Sequence, residues 1–100
     1  MSWNRLLAEL AESIQPLAER HRQGDASDEA HVSAVKEVLR SYAPSTLLSM
    51  VQGASVLDDN GIVRAFHVNE QFSITTLNLA AGERIALHDH PQMTGVILGL

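Results

Sequence analysis

The chain has 100 residues, of which 45% are hydrophobic and 19% charged, and its formal net charge at pH 7 is −5. This composition is typical of one globular domain and excludes a disordered or fibrous chain. Because the charge balance is acidic and no basic run occurs, neither a nucleic acid nor an anionic membrane surface is expected as a partner. The first residues do not predict a signal peptide and no apolar run reaches membrane-spanning length, so we expect a cytoplasmic protein.

Cysteine is absent from the sequence, which excludes disulfide bonds and thiolate metal ligands. A metal ion would have to be bound by imidazole, carboxylate or water. The five histidines are therefore the residues whose roles need to be assigned.

Apolar residues in the first part of the chain recur at the spacing of one helical face. The first predicted helix covers residues 2 to about 22; Pro16 is expected to kink or restart it, and Gly24 to end it. The second predicted helix runs from about Ser27, a suitable N-cap, to Ala43.

Two of the histidines fall in these helices. His21 lies beside Arg20 and Arg22 near the end of the first helix, which favours a solvated side chain over a metal ligand. His31 lies on the flank of the apolar stripe of the second helix, and we expect it at the surface or at an interface.

Strand patterns begin near residue 54, after a short helical turn predicted for residues 45–51. The pair Asn60-Gly61 between apolar runs predicts a β-hairpin. β-Branched and aromatic residues predict further strands over residues 62–68, 72–79 and 85–90, and another from Gly95. The expected fold class is α+β, with two helices in an N-terminal segment over residues 1–44 and a β-domain over residues 54–100.

The strand predicted for residues 85–90 carries the candidate site. Its residues His88 and His90 are two positions apart, so alternation along the strand directs both to one face and Asp89 to the other. Two imidazoles side by side can bind one metal ion, which avoids the cost of burying them without partners. The spacing alone leaves open an exposed pair at a sheet edge without a ligand.

The residues around this pair resemble the first motif of the cupins, in which a turn glycine leads into a strand with two ligands. Gly82 precedes His88 by the expected five intervening residues, and one residue separates His88 from His90. Most cupins supply a glutamate after three or four further residues, where this chain has Thr94 or Gly95.

The run Leu87-His-Asp-His-Pro-Gln-Met-Thr94 resembles more closely the thiol dioxygenase family of cysteamine dioxygenase and the plant cysteine oxidases. That family has a His-Asp-His-Pro-Gly-Met-Thr run, from which this chain departs at Gln92. The resemblance covers about residues 62–98 and does not extend to the N-terminal helices.

This resemblance implies a double-stranded β-helix barrel that holds non-haem Fe(II) with three neutral histidines. His88 and His90 match the first two ligands, and His67 matches a position that is not a ligand. The third ligand is expected beyond residue 100, so the chain is expected to be the N-terminal part of such a domain and inactive alone. The implied reaction adds both atoms of O2 to the thiol of cysteamine or of an N-terminal cysteine, giving a sulfinic acid.

Other residues of this region have simpler roles. Asp89 is expected to face outward and hold the following loop, with a contact to a metal ligand as the alternative. Met93 is expected to fill the core. Arg64 and Arg84 are expected to lie on the strand surface, with contact to the substrate as the alternative. Two other functions stay open: a non-catalytic cupin that binds a metal such as zinc, and an inactive relative that acts as an interaction module.

Overall fold

Residues 2–79, 82–89 and 94–99 are described by the computed structural model of the chain, with side chains for residues 2–77, 85 and 86. Within this part of the chain, three helices precede an antiparallel sheet, which confirms the α+β class. The helices are α1 (Trp3–Arg22), α2 (Asp28–Arg40) and α3 (Pro44–Gly53). The strands are β1 (Asp58–Asp59), β2 (Val63–Val68), β3 (Phe72–Leu79), β4 (Gly82–Asp89) and β5 (Thr94–Gly99).

The first helix begins and ends at the signals seen in the sequence. Ser2 caps its N-terminus, where the side-chain oxygen accepts a hydrogen bond from the N–H of Arg5 at 3.4 Å. Pro16 lies within the helix and neither ends nor restarts it. At the C-terminus Gly24 has φ +81°, and the N–H of Asp25 donates to the carbonyl of Arg20, as in a Schellman turn.

The second helix is shorter than predicted and the third is longer. Ser27 caps α2, because its hydroxyl accepts from the N–H of Ala30 at 3.1 Å. The helix ends at Arg40 rather than at Ala43. Pro44 starts α3 in its first turn, where backbone N–H groups have no acceptor within the helix, so proline removes no hydrogen bond. The helical turn expected over residues 45–51 is therefore a helix of 10 residues, and the expectation of two helices was wrong.

The sheet is an antiparallel meander in the order β1-β2-β3-β4-β5. It begins at Asp58 rather than near residue 54, and its first strand has only 2 residues. The predicted hairpin between β1 and β2 is confirmed. Gly61 has φ +90°, and the Asn60 side chain accepts hydrogen bonds from the N–H groups of Ile62 and Val63.

One hydrophobic core joins the helices to one face of the sheet. Alternation along β3 directs Phe72 and Ile74 into this core, and Ile85 on β4 joins them. Thr76 is buried on the same face, whereas Thr75 and Leu77 on the other face are half-buried, as the alternating sequence predicts. No helix among the described residues is long and apolar enough to cross a membrane.

The start of α1 lies directly against the end of α3. The Asn4 side chain donates to Ser55 Oγ at 3.1 Å and accepts from the Ser55 N–H at 2.6 Å. Beside this pair, Gly53 faces the Trp3 indole so closely that a Cβ atom at Gly53 would lie 2.9 Å from Nε1 and 3.0 Å from Cγ of Trp3. Only glycine fits this contact without a shift of the Trp3 ring or of the backbone.

We therefore expect Gly53→Ala to lower the free energy of unfolding by about 1–3 kcal/mol, the usual cost of overpacking. Gln52→Ala at the exposed neighbouring position is the matched control and should change it by less than about 0.5 kcal/mol. Urea unfolding followed by circular dichroism measures both. Equal stability of Gly53→Ala and the wild-type chain would contradict the tight contact.

Candidate functional site

The predicted metal pair lies at the end of β4. This strand begins at Gly82 and ends at Asp89, which confirms that the backbone of His88 is part of a strand. His88 is opposite Ser73 of β3 and Gly95 of β5 in the backbone register. The side chain of His88 and all of His90 lie outside the described residues, so their pairing around a metal stays a prediction.

The register partner of His88 lies on the face of the sheet opposite to the one that enters the helical core. Ser73 stands between Phe72 and Ile74, which enter the helical core, so Ser73 is on the other face. Ser73 is nevertheless only 6% exposed, and Ala86, which pairs with Thr75 on this face, is fully buried. We call this side of the sheet, defined by Ser73, Thr75, Leu77 and Ala86, the second face.

The loop after His88 joins two paired strands. Asp89 pairs with Thr94 across β4 and β5, so a four-residue connection, 90–93, lies between them. This connection, which contains Met93, lies outside the described residues, as do the side chains of Asp89 and Arg84. The roles predicted for these three residues therefore stay predictions. Thr94 and Gly95 occupy strand positions in β5, at the place where most cupins have a glutamate.

His67, the histidine of β2, is half-buried beside the core. Its ring stacks on Phe72 with centroids 4.9 Å apart, and its Nε2 lies 3.2 Å from the side-chain nitrogen of Asn69. Because the Asn69 amide donates, Nε2 accepts, and the neutral ring carries its proton on Nδ1 in this assignment. Burial lowers the pKa of His67 below its ordinary value.

Asn69 connects this histidine to α1. Its side-chain oxygen accepts from the N–H groups of Gln71 and Phe72, which closes the turn between β2 and β3. Its nitrogen donates to Gln15 Oε1 at 2.8 Å, and the Gln15 nitrogen donates in turn to Gln71. A groove of about 300 Å³ lies beside this network and is lined by Ala8, Ala11, Glu12, Gln15 and His67.

His21 is not solvated, contrary to expectation, and His31 lies at the interface between α1 and α2 rather than at the surface. His21 is 3% exposed and His31 is 5% exposed, and their rings stack with centroids 4.3 Å apart and planes inclined by 4°. His21 Nε2 lies 2.6 Å from Asp28 Oδ1. A signal for this burial was present in the sequence, because His21 follows Ala18 and His31 precedes Val35 at helical spacing within the apolar stripes.

Arg64 is a half-buried residue of β2. Its guanidinium carbon lies 5.7 Å from the centroid of the Phe66 ring, within the range of a cation–π contact.

Among the described side chains, no group of three or more histidine, aspartate or glutamate residues is placed to hold a metal ion.

Comparisons with known proteins leave the chain without an assigned relative. It matches no protein-family profile, no curated protein and no solved structure.

The environment of His67 predicts a dependence of stability on pH. Because its pKa is lowered in the folded chain, the unfolded chain binds the proton first as the pH falls. Neutral His67 makes its full contribution to the free energy of unfolding above about pH 6.5. This contribution is lost as the pH falls toward the lowered pKa of the folded chain. We expect His67→Gln, which keeps an acceptor for Asn69, to lose less stability than the wild-type chain between pH 8 and pH 5.5.

Urea unfolding at the two pH values measures this difference. Glu70→Gln is the matched control, because it changes an exposed neighbouring side chain and leaves the His67 ring in place. The control should keep the wild-type pH dependence. If His67→Gln kept the pH dependence of stability of the wild-type chain, the lowered pKa of His67 would be refuted.

Proposed function

We propose that this chain is part of an Fe(II)-dependent thiol dioxygenase of the cupin type, in which His88 and His90 supply two of three neutral iron ligands. The observation that carries the proposal is the run from His88 to Thr94, which matches the hallmark run of that family at six of its seven positions. The single departure is Gln92.

The arrangement of the strands supports the proposal. In the cupin motif a glycine turn opens the strand that carries the first two ligands. Gly82 is the first residue of β4, His88 is its seventh, and the connection to β5 follows Asp89. The antiparallel pairing of consecutive strands is also compatible with the first strands of a double-stranded β-helix.

The backbone register adds a steric argument. Directly opposite residues in an antiparallel sheet have Cβ atoms about 4.5–5.5 Å apart. The two residues opposite His88 are Ser73 and Gly95, which are both small. Bulky residues at these two positions would fill the space beside an imidazole, whereas serine and glycine leave room for a metal ion and a small substrate.

The donor set fits ferrous iron and a thiol substrate. Imidazole suits iron, and neutral ligands leave the ion its full charge, which favours binding of an anionic thiolate. The absence of a carboxylate at Thr94 and Gly95 preserves that charge. When bound, Fe(II) would supply the activation of O2 toward the substrate sulfur, with a sulfinic acid as the product.

The decisive experiment measures oxygen uptake by the natural polypeptide that contains residues 1–100. The protein is loaded with Fe(II) without oxygen and then mixed with cysteamine or with a peptide that begins with cysteine. We expect consumption of one O2 per thiol and a product mass that is greater by two oxygen atoms. His88→Ala and His90→Ala should abolish uptake, whereas His67→Gln, at a histidine outside the motif, should retain it.

Absence of oxygen uptake with both thiols from an iron-loaded protein would rule out the dioxygenase. Tight retention of zinc without turnover would favour a non-catalytic metal-binding cupin instead.

A second prediction concerns metal binding by the 100-residue chain alone. With two of the three proposed ligands, it should bind Fe(II) far more weakly than nanomolar, because each missing donor removes binding free energy. Anaerobic calorimetric titration measures the dissociation constant. His88→Ala should weaken the remaining binding further, and His67→Gln should leave it unchanged. Nanomolar affinity of the wild-type chain would show that the ligand set differs from the proposed one.

A further inference from the structure

The turn between β1 and β2 contains an asparagine that is followed by glycine. Asn60 precedes Gly61, whereas larger residues follow the other asparagines of the sequence, Asn4, Asn69 and Asn78. A backbone nitrogen can attack the side-chain amide of the asparagine before it, and a side chain on the attacking residue hinders this approach. Because glycine has no side chain, the sequence singles out Asn60 for this reaction.

The surroundings of Gly61 leave its nitrogen open to the reaction. Residues 58–62 are all exposed, so water reaches this turn. Gly61 has φ +90°, and a Cβ atom at this position would meet no described atom within 4 Å beyond its chain neighbours. The N–H of Gly61 donates to Asp59 Oδ1 at 2.8 Å, so an acceptor already lies on the proton that must leave.

The side chain of Asn60 is folded over the residues that follow it. Its Oδ1 accepts hydrogen bonds from the N–H groups of Ile62 at 3.0 Å and Val63 at 2.8 Å. Because Cγ is bonded to Oδ1, these contacts keep Cγ on the side of the chain where Gly61 lies. The two donors also withdraw electron density from the side-chain carbonyl, as the donors of an oxyanion hole do when a nucleophile adds.

Asn69 in the next turn provides a contrast. Its Oδ1 accepts hydrogen bonds from the N–H groups at the two matching positions of its own turn. Its side-chain nitrogen, however, is held by Gln15 Oε1 at 2.8 Å, and Glu70 follows it in the sequence. The side-chain nitrogen of Asn60 donates to no other residue of the described part of the chain, so it is free to leave.

We propose that Asn60 is a site of spontaneous deamidation, in which the backbone nitrogen of Gly61 displaces the side-chain amide. The Gly61 nitrogen loses its proton and forms a bond to Cγ of Asn60. The bond between Cγ and Nδ2 breaks, and Nδ2 takes up a proton and leaves as ammonia. Water then opens the five-membered imide at one of its two carbonyl carbons, which gives aspartate or isoaspartate. The reaction does not depend on the proposed iron site.

Isoaspartate in this turn loosens the edge of the sheet. Its main chain runs through Cγ, so the carbonyl that accepts from Ile62 and Val63 becomes part of the backbone, and the turn gains one main-chain atom. The strand β1 is joined to β2 by only two residue pairs and by flanking backbone bonds, one of them from the Leu57 N–H to the Ala65 carbonyl at 2.8 Å. A strand with so few bonds opens easily when its turn is altered.

The first test compares asparagines within the folded wild-type chain. The protein is kept at physiological temperature and mildly alkaline pH, and samples are digested with trypsin over time. Cleavage releases Asn60 in the peptide 41–64 and Asn69 in the peptide 65–84. Tandem mass spectrometry locates each replacement of NH2 by OH, and chromatography separates isoaspartate from aspartate.

We expect Asn60 to be converted severalfold faster than Asn69, with isoaspartate among its products. Conversion of both residues at the same rate, or no conversion of Asn60, would overturn the proposal. This comparison needs no variant.

A second test changes the attacking residue. In Gly61→Ala the methyl group hinders the nitrogen, so conversion of Asn60 should slow severalfold. Gly24→Ala is the matched control, because Gly24 has φ +81° and open surroundings as well but follows Gln23. It introduces similar backbone strain and should keep the wild-type rate at Asn60. Circular dichroism checks that both variants are folded, and equal rates in the two would overturn the proposal.

Hydrogen exchange measured by NMR tests the effect on the sheet. The isoaspartate form is separated from the fresh protein, and the two are compared. We expect the Leu57 N–H to exchange severalfold faster in the isoaspartate form, whereas the Ala54 N–H, which donates to the Met50 carbonyl in α3, should keep its rate. Unchanged exchange at Leu57 would show that the modified turn does not loosen β1.

Discussion

Burial of the apolar stripe of α1 is the constraint on which the other contacts depend. Leu10 and Ala18 are fully buried, and Ile14 is 2% exposed. Each large apolar side chain of this kind contributes about 1.5–3 kcal/mol when it leaves water. Because α1 contacts α2, α3 and β3, one stripe provides the common surface for the helical layer and the sheet.

Polar side chains along α1 fix the position of its neighbours. Asn4 near the start is bonded to Ser55 after α3, and Gln15 in the middle is bonded to Asn69 in the turn between β2 and β3. His21 in the last turn contacts Asp28 at the start of α2. Apolar burial is not directional, whereas these bonds require particular atoms to meet. They therefore determine which part of α1 each segment packs against.

The third strand links the core to the candidate metal site. Phe72 and Ile74 bury one face of β3 against the helices, and Ser73 between them belongs to the second face and pairs with His88 in the backbone register. A shift of one residue in this pairing would exchange the two faces of the strand. The packing of Phe72 and Ile74 under α1 thus sets the register in which the proposed iron-binding strand lies against β3.

Local signals in the sequence predicted much of this arrangement. The N-caps Ser2 and Ser27, the turn at Gly24 and the Asn60-Gly61 hairpin were recognisable because each depends on residues close together in the chain. The helix ends were less accurate, since Pro44 starts α3 and does not merely end α2. For the candidate site, the sequence predicted the strand and the pair of histidines, and the thiol dioxygenase assignment stays a proposal.

By itself, therefore, the sequence determined the types of the elements, their order and the run from His88 to Thr94 on which the proposed chemistry rests. Only the tertiary structure decided that the ring of His21 stacks on the ring of His31 and that Gln15 is bonded to Asn69. It likewise decided the contact of Gly53 with Trp3. The physical reason is that periodicity and capping act within a few residues, whereas these contacts depend on how separate elements pack, which no local pattern specifies.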